Sequence, residues 1–484
     1  MTNLIKRSLF FLVLLAGYSI ASQEPNIVFI LADDLGWADL PAYGNSFHET
    51  PHLDRLVEQS MRFSNAYAAC PVCSPTRASI QSGQYPARVG VIDFIPGHWR
   101  PYEEVVVPKN RTQYLPGNIV TIAEALKTAG YRTGYFGKWH LGYEEDHLPS
   151  AQGYDESYVY SGGGHAAPRF IPELHAEPGR RLSKVLTDLS LDFMEKHQSE
   201  PFFLFLAHYD VHVQLDADRE LIDKYLKKKS SGAYPGNAVY AAMVEHLDRS
   251  VGRVLQKLDE LNLAENTMVV FFSDNGGLVT RGDKRCLLAD NSRDVYADSP
   301  LKYIATSNLP LRGEKGTVYE GGVREPCMVR WPGKIAAGAV CDVPVCSIDW
   351  YPTFLELAGV ASPSGQVLDG VSILPELCGE TGLLDDRPLY WHYPVYHHDV
   401  PAAAVRKGSW KLVENLVNGQ VSLYNLAVDA GESADLTSMA PDKVKELSSL
   451  LHAWQSDVRA EFPYSNPGFD PARRFEAGRH PDRH

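Results

Sequence analysis

Residues 26–34 read NIVFILADD, an apolar run that spans Asn26–Ala32 and is closed by Asp33 and Asp34. A run of this length without alternating polar residues is typical of a strand that is buried on both faces, as in a parallel sheet. Two adjacent carboxylates at the end of such a strand repel each other unless a cation or a basic group lies nearby. The stretch therefore predicts both a parallel sheet and a polar site at its edge.

Three further runs resemble the first one, namely Arg132–Phe136, Pro201–Ala207 and Thr267–Ser273. Between the last two, apolar residues recur at three- and four-residue spacing from Tyr240 to Leu261, which predicts an amphipathic helix. A shorter helical pattern covers residues 122–128. Strands that alternate with helices indicate an α/β fold with a mostly parallel sheet flanked by helices.

Polar clusters follow all four predicted strands. They are Asp33-Asp34, Lys138-Trp139-His140, the segment from His208 to His212, and Asp274-Asn275. In open α/β sheets, ligands bind beyond the carboxyl ends of the strands. We therefore expect the four clusters to converge on one site.

The pattern of predicted elements changes near residue 375. Segments 403–414 and 420–426 predict strands of a small antiparallel sheet, and apolar residues from Val444 to Val458 predict a final helix. The sequence thus predicts a catalytic domain over residues 22–375 and a smaller α+β subdomain over residues 376–484.

The balance of charge is acidic, with 46 basic and 60 acidic residues and a net charge of −14. Nucleic acids and anionic membranes require basic surfaces, so neither is expected as a partner. An anionic substrate would need positive charge concentrated in a pocket.

Residues 1–21 are typical of an export signal. Lys6 and Arg7 precede the apolar run Leu9–Leu15, and small residues stand at Ser19 and Ala21. The run is shorter than the roughly 20 residues that a membrane span needs. We expect a periplasmic or secreted protein without a membrane anchor.

The two acidic clusters have the chemistry of a metal site. Asp33, Asp34, Asp274 and Asn275 offer three carboxylates and one amide, which suit Ca²⁺ or Mg²⁺ rather than zinc. The alternative is that each pair caps a helix or forms a turn.

Residues 73–77 read CSPTR, ahead of a predicted helix over residues 75–81. A helix N-terminus favours an anion beside it. Alone, Cys73 could be a small buried apolar residue. With Cys70 it also forms a C-x-x-C pair, but no second pair follows that would complete a zinc site.

The Cys-x-Pro-x-Arg run resembles the signal with which type I sulfatases have a cysteine oxidised to formylglycine. Residues 137–142 (GKWHLG), 207–213 (AHYDVHV) and 311–322 (LRGEKGTVYEGG), together with the two acidic pairs, resemble further blocks of that family in the family's order. The resemblance covers about residues 25–430. It implies an alkaline-phosphatase-like fold, sulfate ester hydrolysis by the hydrated aldehyde, and a formylglycine-generating enzyme as maturation partner.

The resemblance also implies roles for individual residues. Sulfate would be held by Arg77, Lys138 and Lys315, with His140 and His212 in the proton steps and His208 secondary. Ca²⁺, with Mg²⁺ as the second choice, would be bound by the modified Cys73 and by four acidic and amide side chains: Asp33, Asp34, Asp274 and Asn275.

Residues 390–405, rich in His and Tyr, resemble the corresponding stretch of bacterial carbohydrate sulfatases. This implies an O-sulfated sugar of a polysaccharide or glycan as substrate, of the galactose or N-acetylgalactosamine type. The alternative is that these side chains pack the small subdomain. The candidate substrate-binding residues are His165, His392, His397, His398, Asp399 and Arg406.

Two other functions stay open at this point. A phosphate-ester or phosphonate-ester hydrolase of the same superfamily would bind a substrate of similar tetrahedral geometry. A protein that binds sulfated glycans without turnover would result if Cys73 is not modified.

Overall fold

The computed structural model describes residues 24–478 except 109, 110, 176, 178, 231–233, 284, 381 and 383. The predicted export signal, residues 1–21, lies outside the described residues. Within them, no helix is both long and apolar enough to span a membrane.

Sixteen strands are found in the described part of the chain: β1 Asn26–Ala32, β2 Met61–Tyr67, β3 Val105–Val106, β4 Arg132–Gly137, β5 Glu156–Gly162, β6 Arg169–Ile171, β7 Phe202–Ala207, β8 Thr267–Ser273, β9 Arg324–Arg330, β10 Val340–Cys341, β11 Val345–Cys346, β12 Leu389–Tyr393, β13 Ala402–Lys407, β14 Trp410–Asn415, β15 Val421–Asn425 and β16 Tyr464–Ser465. The α-helices described there are α1 Pro51–Glu58, α2 Cys73–Ser82, α3 Pro86–Val89, α4 Ile122–Lys127, α5 Leu182–Lys196, α6 Arg219–Leu226, α7 Ala238–Glu260, α8 Glu320–Val323, α9 Trp350–Leu357, α10 Leu374–Leu377 and α11 Pro441–Asp457.

The main sheet has the strand order β10-β2-β9-β8-β1-β7-β4-β5-β6, with β11 beside β2. Its centre, β8-β1-β7-β4, is parallel throughout, whereas β9 and β6 are antiparallel to their neighbours. The predicted fold class, a mostly parallel sheet with flanking helices, is therefore confirmed.

Helices cover both faces of the main sheet. In β1, Val28 and Ile30 face one apolar core, which also contains residues of α1, α5, α6 and α7. Ile27 and Phe29 face the other core, together with residues of α2, α4 and α9. Burial on both faces explains why β1 lacks the polar alternation of a half-exposed strand.

The second sheet is antiparallel, in the order β12-β13-β14-β15, and α11 packs against it in a third core. The antiparallel sheet and the final helix agree with the prediction for this part of the chain. The division at residue 375 itself stays a prediction. Further along, β16 pairs with β3, so that the segment after α11 returns to the main body.

Helix α2 begins at Cys73, two residues earlier than predicted. Pro75 is then the third residue of the helix, where its missing N–H is not needed for an intrahelical bond. Cys73 therefore belongs to the first turn of α2 and does not merely precede it.

Candidate active site

The four predicted polar clusters lie side by side. Strand β1 pairs with β7 and β8, and β4 pairs with β7, with Ala32 opposite Ser273 and Gly137 opposite Ala207. All four strands therefore end at the same edge of the sheet, and the residues that follow them meet there.

The acidic residues form one buried group. Asp33, Asp34, Asp274 and Asn275 are at most 1 % exposed. Asn275 Nδ2 donates to Asp34 Oδ1 over 2.8 Å, and the Asp34 amide donates to Asp274 Oδ1 over 3.3 Å. Asp34 Oδ2 and Asn275 Oδ1 are buried without a hydrogen-bond partner. Unpartnered buried oxygens of this kind fit a hard cation such as Ca²⁺.

Three basic side chains surround these carboxylates. Arg77 donates to Asp274 Oδ2 from Nε over 2.9 Å and from Nη2 over 2.7 Å. Lys138 Nζ lies 2.9 and 2.6 Å from the two oxygens of Asp33, and Lys315 Nζ lies 2.5 Å from Asp34 Oδ1. Three cations and three carboxylates are thus held together in one buried group.

Asp34 and the two lysines support one another's ionised forms, whereas burial and the charge of Asp33 raise the pKa of Asp274 to about 6. Burial raises the pKa of Asp34, but Lys315, His212 and Lys138 outweigh this effect and bring that pKa below its ordinary value. Burial lowers the pKa of Lys138 and Lys315, yet Asp33 and Asp34 bring both pKa values above the ordinary value. Both lysines are therefore protonated at neutral pH.

Cys73 and His140 form a neutral pair. Cys73 Sγ lies 3.2 Å from His140 Nδ1, and His140 Nε2–H donates to the Ile95 carbonyl over 2.5 Å. Since the imidazole donates at Nε2, Nδ1 carries the lone pair and accepts from the thiol. Burial raises the pKa of Cys73 and holds the pKa of His140 well below its ordinary value.

His212 lies beside Asp34. Its Nδ1–H donates to the Val213 carbonyl over 2.5 Å, so Nε2 carries a lone pair 3.7 Å from Asp34 Oδ2. A bound proton donor or cation would satisfy both atoms. His208, by contrast, is fully buried and contacts Ser250 Oγ at 3.0 Å, away from this group.

The loop that carries Lys315 is fixed by backbone contacts. The Gly316 amide donates to the Pro71 carbonyl over 2.8 Å, next to α2, and the Gly276 amide donates to the Gly322 carbonyl over 3.1 Å. Gly316 has a φ of +83°, and a Cβ there would overlap the His397 imidazole. This position requires glycine.

Two of the candidate substrate residues lie beside that loop. His398 Nε2 donates to the Thr280 carbonyl over 2.9 Å and lies 3.9 Å from Glu314 Oε2. Asp399 follows it and accepts from the Val400 amide over 2.8 Å.

The structure places three of the candidates differently. His165 is buried, with Nε2 3.2 Å from the His212 carbonyl and Nδ1 3.6 Å from Asp210. Both of its nitrogens face protein atoms, so it supports His212 instead of facing a substrate.

His392 and Arg406 lie in the small subdomain, away from the acidic group. His392 donates to the Glu461 carbonyl over 2.8 Å. Arg406 donates to the Tyr67 hydroxyl and to Asn65 Oδ1. Both side chains are engaged in contacts that pack the subdomain, and the expectation that they reach sugar hydroxyls stays a prediction.

Tyr209 was not anticipated from the sequence. Its ring lies 4.7 Å from that of His212 and 5.1 Å from that of His165, and Lys138 Nζ lies 5.5 Å from its centroid. A tyrosine two residues after a predicted strand carries no signal that its ring packs against these histidines.

The arrangement can bind a tetrahedral oxyanion between Arg77, Lys138 and Lys315, with a nucleophile at position 73 and the neutral imidazoles of His140 and His212 beside it. Preorganised positive charge in a water-poor site usually contributes more to such catalysis than any other single effect.

Family comparisons agree with this chemistry. The family model described as Sulfatase matches residues 25–360. A second model, described as the C-terminal part of N-sulphoglucosamine sulphohydrolase, matches residues 313–460.

Individual relatives cover most of the chain. A sulfatase of Formosa agariphila is 33 % identical over 90 % of this chain and 89 % of its own length. The N-acetylgalactosamine-6-sulfatase of Canis lupus familiaris is 34 % identical over 78 % of this chain and 70 % of its own length. The crystal structure of Ps i-CgsB superposes with a TM-score of 0.75 at 28 % identity, covering 92 % of this chain and 95 % of that one. This chain therefore belongs to the sulfatase family and is a hydrolase of sulfuric esters.

Proposed function

We propose that this protein is an exported sulfatase that hydrolyses the sulfate ester of an O-sulfated sugar in a polysaccharide or glycan. In this proposal Cys73 is converted to formylglycine, and Ca²⁺ is bound by Asp33, Asp34, Asp274, Asn275 and the modified residue 73. The observation that carries the proposal is the buried group of Arg77, Lys138 and Lys315 around paired carboxylates, next to Cys73.

The thiol itself is poorly suited to be the nucleophile. Burial raises the pKa of Cys73, so the thiolate is scarce at neutral pH. A hydrated aldehyde at position 73 supplies one hydroxyl for attack on sulfur and a second one for the release of sulfate. His140 Nδ1, whose lone pair faces residue 73, accepts the proton that the attacking hydroxyl loses.

The basic residues hold the sulfate and the leaving oxygen. Lys138 and Lys315 are ammonium ions whose carboxylate partners fix their position, and Lys315 also donates to the ester oxygen. As the bond between sulfur and the sugar oxygen breaks, Lys315 gives that oxygen its proton. His212 Nε2 carries a lone pair, because its Nδ1–H is committed to the Val213 carbonyl, and so acts as a proton acceptor in this site. Bound Ca²⁺ would add two positive charges beside the sulfate oxygens.

A sugar substrate is supported by the relatives. One is named for N-acetylgalactosamine 6-sulfate, and Ps i-CgsB has also been solved with the oligosaccharide k-i-k-neocarrahexaose. In this chain, residues 397–399 lie beside the Lys315 loop, where the sugar of a bound sulfate ester would begin. We retain this segment as the proposed sugar-facing surface.

Mass spectrometry of the peptide that contains Cys73, in protein from its native host, tests the nucleophile. We expect the mass of the aldehyde, and an intact thiol in active protein would contradict the mechanism. Matched sulfate and phosphate esters of one sugar then separate the proposed activity from a phosphatase. Equal turnover of both esters, or faster turnover of the phosphate, would rule the proposal out.

A further inference from the structure

A row of four aromatic rings lies beside the proposed sulfate site. Ring centroids are 4.7 Å apart between Phe94 and His98, 4.6 Å between His98 and His397, and 4.6 Å between His397 and His398. We call these four residues the imidazole rim. None of the three histidines in this row is among the residues proposed to bind the metal or the sulfate.

The imidazole rim lies between two proposed catalytic residues. Its third member, His397, packs against the backbone of Gly316, next to Lys315. At the Phe94 end of the row, the following residue, Ile95, accepts the hydrogen bond from His140. Arg100 Nη2 donates to the His397 carbonyl over 2.8 Å and so fixes that backbone.

Hydrogen bonds determine which nitrogens carry protons. His398 Nε2 faces the Thr280 carbonyl, which can only accept, so Nε2 carries the proton and Nδ1 carries the lone pair. His398 Nδ1 lies 2.7 Å from His397 Nδ1, which must therefore donate. The lone pair of His397 is left on Nε2.

His397 Nε2 has no hydrogen-bond partner within the described residues, and the residue is 9 % exposed, so part of it reaches the surface. The ring is neutral, because burial and the positive charges near it hold the pKa of His397 well below its ordinary value, and burial with the charge of Arg100 lowers the pKa of His98 to about 4.

We propose that His397 Nε2 accepts a hydrogen bond from a hydroxyl of the sugar that carries the sulfate, and that His398 positions it by fixing its tautomer. This inference rests on the proposed function. A free hydroxyl at that position satisfies the lone pair. A sulfate or carboxylate there brings a second acceptor against it and leaves both unpaired.

The test uses mature protein with 4-nitrophenyl sulfate, a galactose 6-sulfate glycoside and its singly deoxygenated analogues. His397→Phe keeps an aromatic ring at this position but removes both ring nitrogens. His452→Ala, on the exposed side of α11, is the matched control. We expect His397→Phe to lower the ratio of kcat/KM for the sugar sulfate over the aryl sulfate about tenfold or more. His452→Ala should leave that ratio unchanged.

The deoxy sugars locate the contact. For one analogue, the kcat/KM of the wild type should fall about tenfold. The kcat/KM of His397→Phe should not fall further with this analogue, because its hydrogen bond is already lost. If every deoxygenation costs both proteins the same factor, the inference is overturned while the sulfatase activity stands. If the wild type turns over neither sulfate ester, the proposed function and the inference fail together.

A second measurement needs no variant, should His397→Phe fail to fold. The wild type is assayed on the monosulfated sugar and on the same sugar with a second sulfate on the hydroxyl that the deoxy series identifies. We expect kcat/KM to fall at least about tenfold with the second sulfate. An equal or higher value would overturn the inference.

Discussion

Single side chains in this molecule are held by opposite charges at very short range. Lys315 is the sharpest case, since its ammonium lies 2.5 Å from Asp34 Oδ1 and its loop is anchored to Pro71. Such a group acts on a sulfate only if it stays charged and fixed, and the surrounding carboxylates provide both conditions.

Replacing Lys315 with alanine should therefore lower kcat/KM on any sulfate ester by about 100-fold or more. The loss should appear on aryl and sugar sulfates alike, because the sulfate is common to both. Lys334→Ala, an exposed lysine on the loop after β9, is the control in the same steady-state assay. A loss confined to sugar substrates would contradict the role of Lys315.

Asp248 shows the opposite situation, a buried carboxylate without a cation. Its Oδ1 accepts from the His52 and Leu53 amides at the start of α1, while Oδ2 has no partner. Burial raises the pKa of Asp248 to about 7. The folded state therefore binds more protons than the unfolded state between about pH 4 and pH 7, so Asp248 makes the protein less stable as pH rises through this window.

Asp248→Asn should relieve this cost. The variant is expected to be about 1 to 3 kcal/mol more stable than the wild type at pH 8, with the difference vanishing near pH 4. Urea unfolding at both pH values, with the exposed Asp442→Asn as the control, measures the effect. A gain that is the same at both pH values would refute this explanation.

At the scale of elements, strands with both faces buried were the easiest to predict. The bounds of β1 and β8 agree with the sequence prediction, and those of β4 and β7 differ by one residue. Strands β2 and β9 gave no clear pattern, because β2 carries polar residues such as Ser64 and Asn65 in its middle. Their antiparallel insertion beside β8 is a long-range feature that local patterns do not contain.

The residues of the site, like the strands, were predicted only in part. Residues that directly follow a buried strand were found, since the position of the strand end fixes them. Contacts that depend on backbone atoms from other segments were not, as the bond from His140 to Ile95 shows. His392 and Arg406 were proposed because residues 390–405 resemble a stretch of carbohydrate sulfatases, and such a resemblance does not show which face of a strand a side chain occupies.

Helix α7 depends on one capping residue. Asn237 Oδ1 accepts from the Val239 and Tyr240 amides, and its Nδ2 donates to the Leu301 and Ile304 carbonyls. Asn237→Ala should cost about 2 kcal/mol, because it removes the cap and two part-buried hydrogen bonds to the Leu301 and Ile304 carbonyls. Denaturant unfolding checks this, with Asn418→Ala in an exposed turn as the control. A loss no larger than that of the control would show that the cap is dispensable.

At the scale of the whole molecule, a buried ion cluster joins the second sheet to the main body. Lys411 of β14 lies 2.8 Å from Glu320 and 3.0 Å from Glu432, and all three are fully buried. Glu320 begins α8, whose Gly321 amide donates to the Arg312 carbonyl in the Lys315 loop. The second sheet thereby contributes to the placement of a proposed catalytic residue.

Lys411→Met should cost about 3 to 5 kcal/mol, since it leaves the buried Glu432 without its cation and Glu320 with only the more distant Arg324. We expect a single unfolding transition at a lower temperature, because the two parts share this cluster. Lys407→Met, which removes a half-exposed pair with Glu446, is the control. Separate transitions for the two sheets in calorimetry would contradict the coupling.

The pairing of β16 with β3 has a consequence for how the protein is made. Asn466 donates to the carbonyls of Pro101 and Glu103, and the Gly478 amide donates to that of Trp99, so residues 464–478 hold the stretch that follows His98. Residues 464–478 are translated long after Asp33. This wall of the site can therefore be fixed only once translation has passed residue 478, and a chain cut before residue 464 would carry every proposed sulfate-binding residue yet lack the segment that holds the wall in place.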